Sequence, residues 1–563
     1  MDELVAASDA LGGLECEGVV DEVKQSYVHR YRYDPEQEHP FNAGDDPVNP
    51  SDEKAAGEVV AVDRSAGTID LKRARNSVRP HPSALIPHGP VGHEVLRDAI
   101  CRVAEYVAQA GIDGPGPYRA VRDLIVRRAP RVRGIAPGTP LVSPAEEIVA
   151  AARQVAVSLE DSYLPVQGPP GSGKTYTGAR MILSLLREGR RVGITANAHK
   201  AITNMIHAIV EAAEEEGVAA RIAQKANEGQ AAEADRVEVL AKNEQVAEAL
   251  ASGRCSIAAG TAWLFAAPEM HGVVDTLFVD EAGQMSLATA VAAGSCARAL
   301  VLLGDPNQLP QVTQGMHPDG AEKSALEHVI GDEATISPDR GVFLPETWRL
   351  HPDVCRYVSE AFYASKLEAH PTTHGQRLGA GSRLGEGAGI VFIPVEHARR
   401  AARSPEEAVL AAEIVRELLS CVWTDEKGRV RRLSIDDILV VAPYNVQVAE
   451  LTRAVEAGVG FTPRVGTVDK FQGQEGAVVI YSLTTSSPED ATRQLDFLYS
   501  RNRLNVAVSR ARCFAVVLCS AKLLDVQCRT PELMRALNAF SQLVEASRAE
   551  HPAAFAVLRW PRP

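Results

Sequence analysis

Residues 168–175 read GPPGSGKT and fit the pattern G-x-x-x-x-G-K-[ST], with Gly168, Gly173, Lys174 and Thr175 at its fixed positions. Glycines there let the backbone wind so that successive N–H groups point inward at an anion. A helix that follows adds the positive end of its dipole. Lys174 can then reach the β- and γ-phosphates as a point charge, and the Thr175 hydroxyl can ligate Mg²⁺. Asp280 and Glu281, in DEAGQ at 280–284, follow an apolar run. Asp280 is suited to hold the metal, and Glu281 to orient and deprotonate an attacking water. Gln308, in GDPNQLP at 304–310, can report on the γ-phosphate through its polar side chain. Arg349, in TWRLHP at 347–352, and Arg510, in RLNVAVSRA at 503–511, can stabilise charge building on that phosphate. Trp348 offers a ring on which a base can stack. Singly these signals are weak, since most Asp-Glu pairs are solvated strand ends and most lone tryptophans pack a core. Their order along one chain makes them a set.

The elements that must hold this set are legible around it. A short strand at 163–167 precedes the loop, with Pro165 inside it as a departure from strand chemistry. An amphipathic helix follows, with Met181, Ile182, Leu185 and Leu186 on one face and Gly189 at its end. SPAE at 143–146 predicts a helix start. Runs at 191–196, 273–279 and 299–303 predict strands, the last two as buried parallel strands, and the Ala/Glu-rich stretch 206–250 predicts helix throughout. From about 325 a second alternation begins, with strands at 390–393, 438–442, 477–483 and 514–519 and a helix capped by SPEE at 404–407. Two doubly wound α/β domains are expected, 141–324 and 325–563. Ahead of them, 1–85 is expected to form a small β-barrel from strands within 18–33, 57–63 and 68–72 with a turn at 65–67. Helices at 93–110 and 118–128 would make 86–140 a stalk or linker.

Composition narrows the classes. At 563 residues the chain is too long for one core. Its net charge of −14 does not favour non-specific adhesion to nucleic acid, although a local channel depends on local cations and backbone contacts instead. No apolar run approaches membrane-spanning length, the acidic N-terminus lacks the pattern of a secretory signal, and no membrane partner is expected. Nine scattered cysteines without a C-x-x-C pair argue against a zinc ribbon or a four-cysteine cluster and fit reduced thiols in a cytoplasmic protein. Arg127, Arg128, Arg131 and Arg133 form a basic run that reads equally as solvated linker or nucleic-acid contact. Asp63 with Asp70, Leu71 and Lys72 mimics a nuclease metal site, but the short span between the acids reads better as a solvated hairpin.

The ordered motifs GPPGSGKT, DEAGQ, GDPNQLP, TWRLHP, VDKFQGQE (468–475) and RLNVAVSRA resemble superfamily 1 helicases over about residues 143–520. The likeness is to the B branch typified by the nonsense-mediated-decay RNA helicases and their DNA relatives. The resemblance implies an α/β fold of two RecA-like P-loop domains in tandem, binding ATP and Mg²⁺ between them. It implies a helicase or translocase on single-stranded nucleic acid, DNA in preference to RNA, moving 5′ to 3′. The alternative is a nucleic-acid-stimulated ATPase motor that displaces proteins without unwinding. Carried over by position, Lys174, Asp280, Glu281, Gln308, Arg349 and Arg510 form the catalytic set, and Thr175 and Asp280 the metal ligands. Gly168, Pro169, Pro170, Gly171, Ser172, Gly173, Lys174, Thr175, Tyr176, Gln154, Trp348, Gly473 and Glu475 are implied on the nucleotide, Gln154 as the adenine reader and Glu475 on the ribose side. Asn197, His199 and Lys200 (within TANAHK at 195–200), Thr261, Thr467 and Asp469 are implied on the strand or between domains. Trp348 departs from the tyrosine common in the family. Some bacterial relatives carry a RecB-like nuclease ahead of this region, so the resemblance points to a nuclease partner or to a nuclease half outside this chain.

Overall fold

The computed structural model describes residues 10–550 except 36, 65, 88–91, 144, 228, 312–319, 472 and 492–494. The chain divides into two compact units. One comprises Gly92–Arg349 and Val358–Pro371. The other takes in the residues before it, Leu350–Tyr357, and the chain from Thr372 on.

The first unit is built on an eight-stranded sheet in the order Val237–Leu240, Ile222–Lys225, Ile257–Ala259, Val192–Thr195, Val274–Val279, Ala297–Gly304, Tyr163–Gln167, Val342–Phe343. Every neighbouring pair is parallel. Parallel strands need crossover helices, which cover both faces, so the central strands are apolar along their length rather than alternating. Leu300 and Leu302 join the core on one face, and Ala299, Val301 and Leu303 the core on the other. Helices Ile148–Val157, Lys174–Arg187 and His199–Glu215 cover the second face through Ala152, Met181, Ile182, Met205 and Ile206.

Three sequence expectations change here. The helices expected as a stalk, Glu94–Ala110 and Arg119–Ile125, place Leu96, Ala99, Val103, Val121 and Leu124 in the core of the first face. Their apolar stripes are what that face needs. The stretch expected to be all helix is helical to Glu215 and again from Asn243; between them Ile222–Lys225 pairs with Ile257–Ala259 and Val237–Leu240 with Ile222–Lys225, because strand pairing outweighs propensity. The start predicted at 143–146 is a turn, in which the Ser143 N–H donates to Glu146 at 2.9 Å, partly outside the described residues. The helix begins at Ile148, where the Glu147 carboxylate accepts from the N–H groups of Val149 and Ala150. Pro165 is tolerated in a strand whose outer neighbour is just two residues long.

The second unit carries a five-stranded parallel sheet, Gly389–Pro394, Ala511–Cys519, Gly476–Ser482, Ile438–Ala442, Arg464–Thr467. The last strand gave no clear sequence signal. Ser404 caps the helix Pro405–Leu418 as its SPEE start predicts, with its hydroxyl accepting from the Glu407 N–H. The N-terminal segment forms a four-stranded antiparallel sheet, Glu15–Val23, Ser26–Arg32, Thr68–Ala74, Glu58–Asp63. Among the described residues its edges do not meet, so the expected barrel is an open sheet. Its first strand is exposed along most of its length, and a small core of Leu11, Tyr31, Tyr33, Phe41, Ile69 and Leu71 lies under the rest. Glu38 ties it to the parallel sheet by accepting the Val446 N–H at the start of helix Asn445–Val459. The turn predicted at 65–67 lies partly outside the described residues.

His39 sits in that small core, 1% exposed, with Nε2 at 2.9 Å from the Tyr33 hydroxyl. Burial, then the Arg64 charge, pushes its pKa down to about 3. The unfolded imidazole takes its proton first, so this stability is complete above about pH 6.5 and is lost as pH falls from there toward 3, at about 1.4 kcal/mol per pH unit. Hydrogen exchange of amides in Ser26–Arg32 should therefore show, relative to the intrinsic rate, an excess that grows as pH falls from 7 to 5. His39→Gln should remove that excess.

Candidate nucleotide site

The phosphate loop leaves the sheet at the carboxyl end of Tyr163–Gln167, with the Gly168 N–H donating to Gly304 O at 2.9 Å. Gly171 and Gly173 have φ of +74° and +78°, the left-handed region that glycine enters freely. A Cβ on Gly168 would lie 2.2 Å from Lys174 Cγ, and one on Gly171 2.5 Å from Arg349 Cβ. Gly173 caps the fourteen-residue helix Lys174–Arg187, whose first turn has no acidic residue to neutralise its positive end. Lys174 Nζ donates to Gly168 O at 2.6 Å. The buried Ser172 hydroxyl has no hydrogen-bond partner among the described residues. A glycine-lined cradle with an orphaned hydroxyl and a lysine folded over it fits a polyphosphate.

The loop is braced from outside. Trp348 donates its N–H to Gly171 O at 2.9 Å, and the Thr347 hydroxyl donates to Pro170 O at 2.8 Å. Arg349 follows directly, so the loop and this arginine share one scaffold. Sequence reasoning missed Thr347, whose role has no spacing signature.

Asp280 and Glu281 stand at the carboxyl end of Val274–Val279, two strands from the loop strand in the sheet. Asp280 is 5% exposed. Burial, then the adjacent Glu281 charge, raises its pKa, while Lys174 opposes that shift. A buried carboxylate held against two negative influences is a strong place for a cation. Glu281 takes φ +51°, strained for a side chain with a Cβ. Gly283 and Gly304 allow DEAGQ to lie against GDPNQ: a Cβ on Gly283 would be 2.5 Å from Asp305 O. Asp305 in turn holds Gln308, whose Nε2 donates to Oδ2 at 3.1 Å, and accepts from the buried Tyr363 hydroxyl at 2.6 Å. Tyr363, missed in the sequence, thus fixes the segment that carries Gln308.

Beside the loop opens a cleft of about 1000 Å³ lined by Ile148, Val149, Gln154, Tyr176, Arg180 and Trp348, among others. Trp348 is 53% exposed and stacked on His370, ring centroids 3.4 Å apart at 18°. Tyr176 lies under the Arg180 guanidinium, 3.3 Å from its ring centroid. Gln154 donates to Ser158 one turn along its own helix and lines the cleft from there. Flat rings and a carboxamide round an apolar slot suit a planar base.

Asn197, His199, Lys200 and Thr261 follow the carboxyl ends of Val192–Thr195 and Ile257–Ala259, the same end of the sheet as the loop. Asn197 donates to Gln284 O, joining this group to the DEAGQ segment. In the second unit Thr467 ends Arg464–Thr467, and Asp469 is paired with Arg503 at 2.8 Å. Gly473 has φ +76°, and Glu475 faces Arg512 at 3.3 Å. Arg510 is buried at the end of helix Arg501–Ser509. The basic run at 127–133 is largely absorbed in structure: Arg128 and Arg131 pair with buried Asp123, and Arg127 donates to Val329 O. Asp70 is buried against Arg30 at 2.8 Å rather than solvated, and Lys72 pairs with Glu58.

Residues 152–314 and 321–522 each match a family model described as an AAA domain. The chain is similar to the DNA-binding protein SMUBP-2 of Mesocricetus auratus, 24% identical over 63% of this chain and 41% of that protein. It is similar to the 5'-3' DNA helicase ZGRF1 of Mus musculus, 27% identical over 42% of this chain and 12% of that protein. The chain spans less than half the length of these curated relatives. A crystal structure of Arterivirus nonstructural protein 10 (helicase) aligns with 92% of this chain and 79% of its own at 15% identity and a TM-score of 0.37. The chain thus has two successive segments that match AAA-domain models, and it is similar to a protein named as a helicase.

Gly171→Ala forces a Cβ into Arg349 and Thr347 and costs about 1–2 kcal/mol in the left-handed region alone. Titration with a fluorescent ATP analogue should show affinity at least tenfold weaker, with a denaturation midpoint lowered but a cooperative transition retained.

Proposed function

We propose that the chain is an ATP-dependent helicase or translocase acting on single-stranded nucleic acid, DNA in preference to RNA, in the 5′-to-3′ sense. The observation that carries this reading is the convergence of the phosphate loop, the Asp280–Glu281 pair and the Asn197–Gln284 bond at one end of one sheet. Groups at the carboxyl ends of parallel strands lie where open α/β sheets take their ligands.

Thr175 and Asp280 would hold Mg²⁺, which shields the phosphates' charge and draws electrons from the bond to be broken. Lys174 gives up its loop carbonyl to meet the β- and γ-phosphates. Glu281 takes the proton of the attacking water. Arg349 and, from the second unit, Arg510 supply positive charge to the γ-phosphate. Trp348, Tyr176 and Gln154 receive the base, and Gly473 and Glu475 the ribose side. Gln308 senses the γ-phosphate and transmits its loss through Asp305. Asn197, His199, Lys200, Thr261, Thr467 and Asp469 grip the strand by backbone contacts that do not read sequence. Support for DNA and for polarity comes from the relative named a 5'-3' DNA helicase.

Lys174→Ala and Glu281→Gln should each lower strand-stimulated ATP hydrolysis roughly a hundredfold or more. Glu281→Gln should keep its affinity for the nucleotide, and chelation of Mg²⁺ should abolish turnover of the unaltered chain. Matched DNA and RNA strands compared as stimulators, and tailed duplexes compared with protein-blocked single strands as substrates, check strand type and unwinding. Full turnover by Glu281→Gln would remove the assigned base.

A further inference from the structure

The N-terminal sheet gathers three metal-ligating side chains that play no part in the proposed motor. Cys16 lies on Glu15–Val23 opposite Tyr31, and His29 is two residues before Tyr31 on Ser26–Arg32, on the same face. His81 comes from the loop that folds over that face. One ligand atom from each of Cys16, His29 and His81 lies within 4.8 Å of the other two. We propose that Cys16, His29 and His81 form a binding site for a borderline-soft divalent cation of the Zn²⁺ class, with water completing the coordination.

Two observations carry this. The His29 Nδ1 is buried and has no hydrogen-bond partner among the described residues. A buried imidazole nitrogen left without a partner costs free energy, and a metal would satisfy it. His81 is preorganised. It stands between Pro80 and Pro82, and Arg73 donates to the carbonyls of Arg79 and Pro80, both at 2.9 Å. The His81 Nδ1 lies 2.6 Å from the Tyr31 hydroxyl and accepts from Arg73 Nη1 at 2.8 Å, so the ring is fixed from two sides.

The ligand set selects the cation. One thiolate and two imidazoles suit Zn²⁺ or Co²⁺, and offer nothing to Mg²⁺, which demands oxygen. With bonds of about 2.0–2.3 Å, ligand atoms of a tetrahedral site stand roughly 3.5 Å apart. Cys16 and His81 are exposed and can close that small gap by side-chain rotation. Binding releases the thiol proton and ties together two strands and a loop that hydrophobic packing holds weakly. The three ligands come from separate segments, so no C-x-x-C spacing marks them.

The test uses the full chain, stripped of metal and titrated with Co²⁺. The unaltered protein should develop a sulfur-to-cobalt charge-transfer band in the near ultraviolet, with visible bands of tetrahedral intensity. Zn²⁺ should bleach both, and millimolar Mg²⁺ should not. Cys16→Ser, an exposed position that leaves the fold intact by circular dichroism, should lose the charge-transfer band. His81→Ala should weaken Co²⁺ binding at least tenfold. Absence of the band in the unaltered chain, or its survival in Cys16→Ser, would overturn the assignment, the latter by locating the thiolate at another cysteine.

Discussion

A phosphate loop is a curved run of backbone that must hold its shape without a side-chain core of its own. Here the shape depends on a second segment pressed against it. The Thr347 hydroxyl and the Trp348 N–H bond to the carbonyls of Pro170 and Gly171. Gly171 has no room for a Cβ because Arg349 occupies that space. The same three residues, Thr347 to Arg349, thereby brace the cradle, present a ring to the cleft and start the arginine from a fixed point. Displacement of one of these functions must move the others.

The second set of carboxylates obeys a related constraint. Glu281 is twisted into a conformation that costs energy, and close glycine packing at Gly283 and Gly304 keeps it there. Tyr363 anchors Asp305, which holds Gln308. The segments that carry Glu281 and Gln308 are thus locked to one another through backbone contact rather than through long side chains. Such rigidity suits groups that act on charge developing at a fixed place.

The parts of this arrangement visible in the sequence are those set by local spacing. Lys174, Thr175, Asp280 and Glu281 sit within a few residues of the strand ends that carry them, and apolar runs such as 274–279 and 297–304 announce buried parallel strands. Braces that link distant segments were not visible. Tyr363 meets Asp305 across 58 residues of chain, and Thr347 meets Pro170 across 177. Propensity misled where tertiary pairing decides. Ile222–Lys225 and Val237–Leu240 lie in an Ala/Glu-rich stretch, but the first is drawn into the sheet by Ile257–Ala259 and the second by the first. The helices Glu94–Ala110 and Arg119–Ile125 were legible as helices, but their place was not, because an amphipathic stripe names no partner. The open N-terminal sheet follows from the same limit, since closure depends on edges meeting and no strand encodes that by itself.

The loop strand has a peculiar position in time as well as in space. Tyr163 pairs with Leu300 and Val166 with Val342, so both flanks of Tyr163–Gln167 are supplied by chain made much later. At roughly 5–20 residues per second a ribosome leaves this apolar ribbon waiting for on the order of ten seconds. During that interval its two bare edges are open to any other strand in reach. A protein arranged this way places its most function-bearing turn among the last parts to mature, and nascent-chain chaperoning matters most for the stretch between them.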